Sequence, residues 1–141
     1  MRVVLDSNVL FSALISPHSP PRRIFEAWQD GRFTLITCDA QLDEIRRASR
    51  YPRLQRILQA HRVGTLINHL QRAERIARLP IHIQIDDPDD AFLLALSQAG
   101  MADVLVTGDH RAGLLQRGHH GRTRIVDPAI FCLEVLRTRQ G

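Results

Sequence analysis

Apolar and polar positions along the chain follow two rhythms that alternate from end to end. Val3-Val4-Leu5 is an unbroken apolar run with two β-branched residues, which reads as a short strand buried on both faces. Directly after it Val9, Leu10, Ala13 and Leu14 take up helical spacing, and that helix stops before the proline-rich Ser16–Pro21. A second helix is predicted over Arg22–Asp30, with Ile24, Phe25, Ala27 and Trp28 inward and Gly31 closing it. Phe33–Thr37 predicts a strand ending at Cys38-Asp39, and Asp39–Ser49 a helix, with Pro52 marking a break. A long helical stretch is expected from Arg53 to about Leu79, in two parts broken near His61–Gly64. Its second part carries Val63, Leu66, Ile67, Leu70, Ala73 and Ala77.

Ile81, Ile83 and Ile85 alternate with His82 and Gln84, the pattern of a strand exposed on one face. The strongly apolar helix Ala91–Ala99 follows the acidic Asp86–Asp90 and ends at Gly100. Val104–Val106 is a buried strand, His110–Gln116 a short helix, Arg117–Arg122 a loop, Thr123–Val126 a last strand and Ala129–Arg137 a terminal helix. Strands alternating with helices predict an α/β fold of three layers, α/β/α: a central, mainly parallel sheet with helices on both faces. With 141 residues and no composition break, one domain (1–141) is expected, with residues 53–79 as a helical insertion beside the core.

This layout gives the acidic residues meaning. Asp6 ends the first strand, Asp109 lies just past Val106, Asp89 and Asp90 open the apolar helix, and Glu44 sits one turn into the helix after the second strand. All fall on the strand C-terminal side, where open α/β sheets bind ligands. Each also has a plain structural reading: Asp6 caps a helix, Asp39, Asp87 and Asp127 are good N-caps, and Asp89 and Asp90 suit the positive end of a helix. Asp30 and Asp43 read as solvated. Taken together, three or four carboxylates at one sheet edge are expensive. Two unit charges about 4 Å apart repel by roughly 4 kcal/mol at an effective dielectric of 20. A cation relieves that cost, and an all-oxygen ligand set favours Mg²⁺ or Mn²⁺ over zinc.

Charge adds a partner. The formal net charge is +4, and all 19 basic residues are arginine, with no lysine. Arginine's planar fork suits phosphate, although a GC-rich genome also favours arginine codons. Acid cluster, divalent metal and polyanion together indicate metal-assisted phosphodiester cleavage. Cys38 and Cys132 lie far apart and have no metal-ligand spacing, so two unpaired thiols in a reduced, cytoplasmic protein are expected. No apolar run approaches a membrane span, and with a strand predicted from the first residues no secretory signal is expected.

The order Leu5-Asp6-Ser7-Asn8-Val9-Leu10, then Glu44, then Asp87-Pro88-Asp89-Asp90-Ala91-Phe92-Leu93, then Val106-Thr107-Gly108-Asp109 resembles the PIN domain family. It is most similar to the toxin components of bacterial type II toxin–antitoxin systems, over Arg2 to about Glu134. The resemblance implies a Mg²⁺- or Mn²⁺-dependent endoribonuclease. Asp6, Asp90 and Asp109 then match the metal-binding aspartates. Glu44 matches a glutamate that binds metal or positions water, and Asn8 and Thr107 match polar positions that hold the carboxylates. Asp90 is preferred to Asp89 because it directly precedes the buried Ala91-Phe92-Leu93 run. RNA is the implied substrate and a cognate antitoxin the implied partner, with a homodimer as a further possibility. Cys38 stands where similar sequences carry serine, and His110 where lysine is frequent; neither departure removes a carboxylate.

Other readings compete. A dehalogenase-type phosphatase needs a second carboxylate two residues after its first, where this chain has Asn8. A receiver domain needs a lysine. A non-catalytic RNA- or protein-binding module of the same fold remains as the alternative class. His119-His120 lacks a second ligand cluster and reads as surface loop, and His18, His61 and His69 as solvent-facing.

Overall fold

A computed structural model describes residues 1–79, 87–109 and 113–136. Its elements run β1 (Arg2–Leu5), α1 (Ser7–Ile15), α2 (Pro20–Gln29), β2 (Thr34–Thr37), α3 (Asp39–Ala48), α4 (Pro52–Gln55), α5 (Ala60–Leu70), β3 (Glu74–Arg75), α6 (Pro88–Ala99), β4 (Val104–Val106), α7 (Leu114–Arg117), β5 (His119–His120), β6 (Thr123–Val126) and α8 (Pro128–Ile130). A π-helical segment, Phe131–Leu136, continues α8. The sheet order is β3-β2-β1-β4-β6-β5, parallel throughout except for the β5–β6 hairpin. This is the expected three-layer α/β domain.

The alternation of strand side chains explains the layers. Val3, Leu5, Leu35, Val104, Val106 and Val126 point to one face, into a core with α1, α2, α3, α5 and the π-helical segment. Val4, Ile36, Leu105 and Ile125 point to the other, where α6 supplies Leu93, Leu94 and Leu96 and α7 supplies Leu114. The two faces are therefore both dry, which is why the strands read as continuous apolar runs. At the end of α6 the chain must pass close to the sheet: a Cβ on Gly100 would lie 2.6 Å from Ile36 Cγ2.

Several boundaries differ from expectation, each for a local reason. α2 begins at Pro20 rather than Arg22, because the Ser19 hydroxyl accepts from the Arg22 N–H and the first turn tolerates two prolines. α3 is entered through Cys38, not capped by Asp39; Asp39 sits in the first turn and pairs with Arg75 at 3.2 Å. The 53–79 stretch breaks earlier than expected, between Gln55 and Ala60, and its helix ends at Leu70. Glu74–Arg75 then adds a parallel strand to β2, tied by the Arg2–Glu74 ion pair.

α6 starts at Pro88, capped by Asp87, whose carboxylate accepts from the Asp89 N–H at 2.8 Å. Asp127 likewise caps α8, accepting from Ile130 N–H at 2.7 Å. His119-His120 is not loop but one arm of a hairpin with Thr123–Arg124, turned at Gly121 in the left-handed region (φ +58°). His69 is not free in solvent: it is half-buried, edge-on to Phe25 and Trp28 at centroid distances of 6.0 and 6.3 Å. Cys38 and Cys132 are both free thiols. The strand expected at Ile81–Ile85, the start of the helix expected from His110 and the final residue of the terminal helix, Arg137, lie outside the described residues.

Candidate active site

The chain runs outward from β1 to β2 and β3, then returns to lay β4 against the other side of β1. The sheet therefore has its topological switch point between β1 and β4, and a crevice opens there beyond their C-terminal ends. The register Leu5↔Val106 brings both strands to an end together. Asp6 follows one and Thr107-Gly108-Asp109 the other, with the Asp6 N–H donating to Val106 O at 2.9 Å.

Thr107 joins the two acids. It is fully buried, and its hydroxyl donates to Asp6 Oδ2 at 2.8 Å while accepting from the Asp109 N–H at 3.2 Å. Asp6 also caps α1: Oδ1 accepts from the Asn8 N–H at 3.4 Å. Asn8 thus touches Asp6 through its backbone, while its side chain faces a groove beside the crevice. Asp6 is both cap and crevice carboxylate.

The carboxylates feel one another. Burial pushes the Asp6 pKa up, opposed by the Thr107 and Asn8 hydrogen bonds and reinforced by Asp109 and Asp89. Burial likewise raises Glu44, with Asp6 and Asp89 adding to the shift and Arg47 opposing it. Asp90 is only 5% exposed, and burial, then Asp87, Asp109, Asp6 and Asp89, push its pKa to about 6. Raised carboxylate pKa values on three different elements at one sheet edge are what an unneutralised acidic crevice produces.

A sequence model of the PIN domain family matches residues 2–111. The chain belongs to the PIN domain family. Neither the curated proteins nor the solved structures gave a match. PIN domains are in general metal-dependent nucleases, and the acidic crevice of this chain lies at the switch point of its own sheet.

In this PIN domain the described residues hold no group of three carboxylate, imidazole or thiol side chains already gathered tightly enough to grip one ion. The donor chemistry still fits a hard divalent cation: every candidate is oxygen, three have raised pKa values, and their mutual repulsion is what such an ion cancels. Asp6, Asp90 and Asp109 would hold it, with Glu44 alongside.

Asp89 and Asp90 both reach the acidic edge as expected, while the buried Gln41 beside it carries no clear signal in the sequence. Asp89 is exposed, yet it acts on both Asp6 and Glu44 and lines the same groove as Glu44, Asn8 and Arg47. Asp90 in turn feels Asp6 and Asp109, so both belong to the acidic edge. Gln41 is 1% exposed, and its amide donates to Leu5 O at 2.7 Å while accepting from the Thr37 hydroxyl at 2.6 Å. It locks the residue before Asp6 onto β2 and α3, and only its polar type inside an apolar helix face hinted at that.

Proposed function

We propose that this PIN domain is an endoribonuclease that cleaves RNA phosphodiester bonds with Mg²⁺ or Mn²⁺. The observation that supports this best is the Thr107 bridge, which holds Asp6 and the Asp109 backbone together at the switch point beside a buried Asp90. When bound, the cation supplies charge neutralisation and lowers the pKa of a water. The chain's own residues do the rest. Thr107 fixes the Asp6 carboxylate. Glu44, with its raised pKa, accepts a proton from the attacking water more readily than an ordinary glutamate. Arginines on α3, Arg46 and Arg47 among them, hold the RNA backbone on either side of the scissile bond. The likeness to toxin–antitoxin toxins extends the proposal to a cytoplasmic toxin restrained by a cognate antitoxin, with homodimers as its assembly.

The test is incubation of the purified protein with end-labelled RNA. Internal cuts are expected with Mg²⁺ or Mn²⁺, stopped by EDTA and restored by excess metal. RNA that stays intact under both metals while its band shifts on a native gel would replace the nuclease with a binding module.

A further inference from the structure

A groove of about 760 Å³ runs from the acidic edge between α1, α3 and α4. Glu44 and Asp89 line it at that edge, Phe11, Ile15 and Leu54 contribute apolar surface, and Tyr51 and Arg47 belong to its wall. Tyr51, the only tyrosine of the chain, is 60% exposed at the N-terminal cap of α4. Arg47 is exposed and also lines an adjoining cavity of about 430 Å³ with Arg46 and Arg50. The surface beyond the acidic edge thus brings an exposed tyrosine, apolar side chains and arginines to one groove and its neighbouring cavity.

That combination fits one ligand chemistry. An unpaired nucleotide presents a π face to stack on an aromatic ring and a phosphate for a guanidinium to hold. In a duplex the base faces are stacked and cannot reach Tyr51. We infer that this groove seats an unpaired nucleotide of single-stranded RNA flanking the scissile phosphate, its base on Tyr51 and its backbone phosphate at Arg47. The inference rests on the nuclease reading for its substrate but is tested by binding alone. Tyr51 is then a substrate-binding residue.

The experiment is fluorescence anisotropy of a labelled ten-nucleotide single-stranded RNA, measured in EDTA so that nothing is cut. Tyr51→Leu is expected to weaken binding roughly tenfold, in line with the loss of one stacked base, and Tyr51→Phe to keep wild-type affinity. Arg47→Gln is expected to weaken binding and to reduce the salt dependence by the equivalent of about one phosphate contact. A double-stranded RNA of equal length is expected to bind Tyr51→Leu and wild type alike. Wild-type protein that fails to bind the single strand, or Tyr51→Leu that binds it within about twofold of wild type, overturns the inference and leaves the groove to a protein occupant. A tenfold loss rescued by Tyr51→Phe, in a protein that never cuts RNA, keeps the nucleotide seat and removes the nuclease reading instead.

Discussion

Asp6→Asn is expected to lower metal-dependent RNA cleavage by roughly a thousandfold or more, while its melting temperature equals or exceeds that of wild type. The size follows from the loss of a charged ligand at the cation, whose transition-state stabilisation is worth several kcal/mol, at about 1.4 kcal/mol per tenfold in rate. The substitution separates the two roles of this residue. Asparagine caps a helix as well as aspartate, so the bond from the Asn8 N–H survives. With its one oxygen on Asn8, its amide NH2 faces the Thr107 hydroxyl, which then accepts from it instead of donating. What disappears is a buried charge whose burial and acidic neighbours oppose ionisation. Initial rates on labelled RNA, paired with thermal melts in EDTA, read both halves. A variant that cuts at the wild-type rate would remove Asp6 from the chemistry. One that loses activity together with ten degrees of stability would reduce it to a cap.

The second large effect is on stability. The folded Asp90 pKa of about 6 lies above its ordinary value of 3.8. Between those values the folded state binds more protons than the unfolded one, so stability falls as pH rises. The contribution is complete below 3.8 and is lost as pH passes through about 6. Moving a carboxyl from 3.8 to about 6 is worth on the order of 3 kcal/mol. Metal-free protein is therefore expected to be more stable near pH 5 than near pH 8. Asp90→Asn should gain about 1–3 kcal/mol at pH 8, with most of that gain gone near pH 4. Asp103 and Glu74, held low by arginine partners, act the other way only as pH falls below about 4, and His120, held low by burial and Arg117, opposes the trend near neutral pH without matching three raised carboxylates. Urea melts across pH in EDTA measure this. A wild-type stability that rises from pH 5 to pH 8 contradicts it.

The apolar runs made β1, β2, β4 and β6 legible, because strands dry on both faces leave no polar interruptions. Asp6 and Asp109 were legible for the same reason: each is the first charge after a run that has to be buried. Caps at Asp87 and Asp127 followed from the proline behind each. What stayed hidden was set by distant partners. Glu74–Arg75 has no apolar alternation, and becomes a strand through pairing with β2 and the Arg2 ion pair. Asp39 looks like a cap until Arg75 arrives beside it. Gln41 is polar in sequence and buried in space because Leu5 and Thr37 offer it bonds.

Titration of metal-free protein with Mn²⁺ at pH 7.5, followed by the electron paramagnetic resonance signal of the free ion, bears most directly on the convergence of Asp6, Asp90 and Asp109, with Glu44 beside them. Saturable uptake of one or two ions is expected, abolished by Asp6→Asn and by Asp109→Asn and untouched by Asp30→Asn, at the end of α2 in a separate cavity. Uptake that is absent in the wild type, or that survives both crevice substitutions undiminished, would contradict the account.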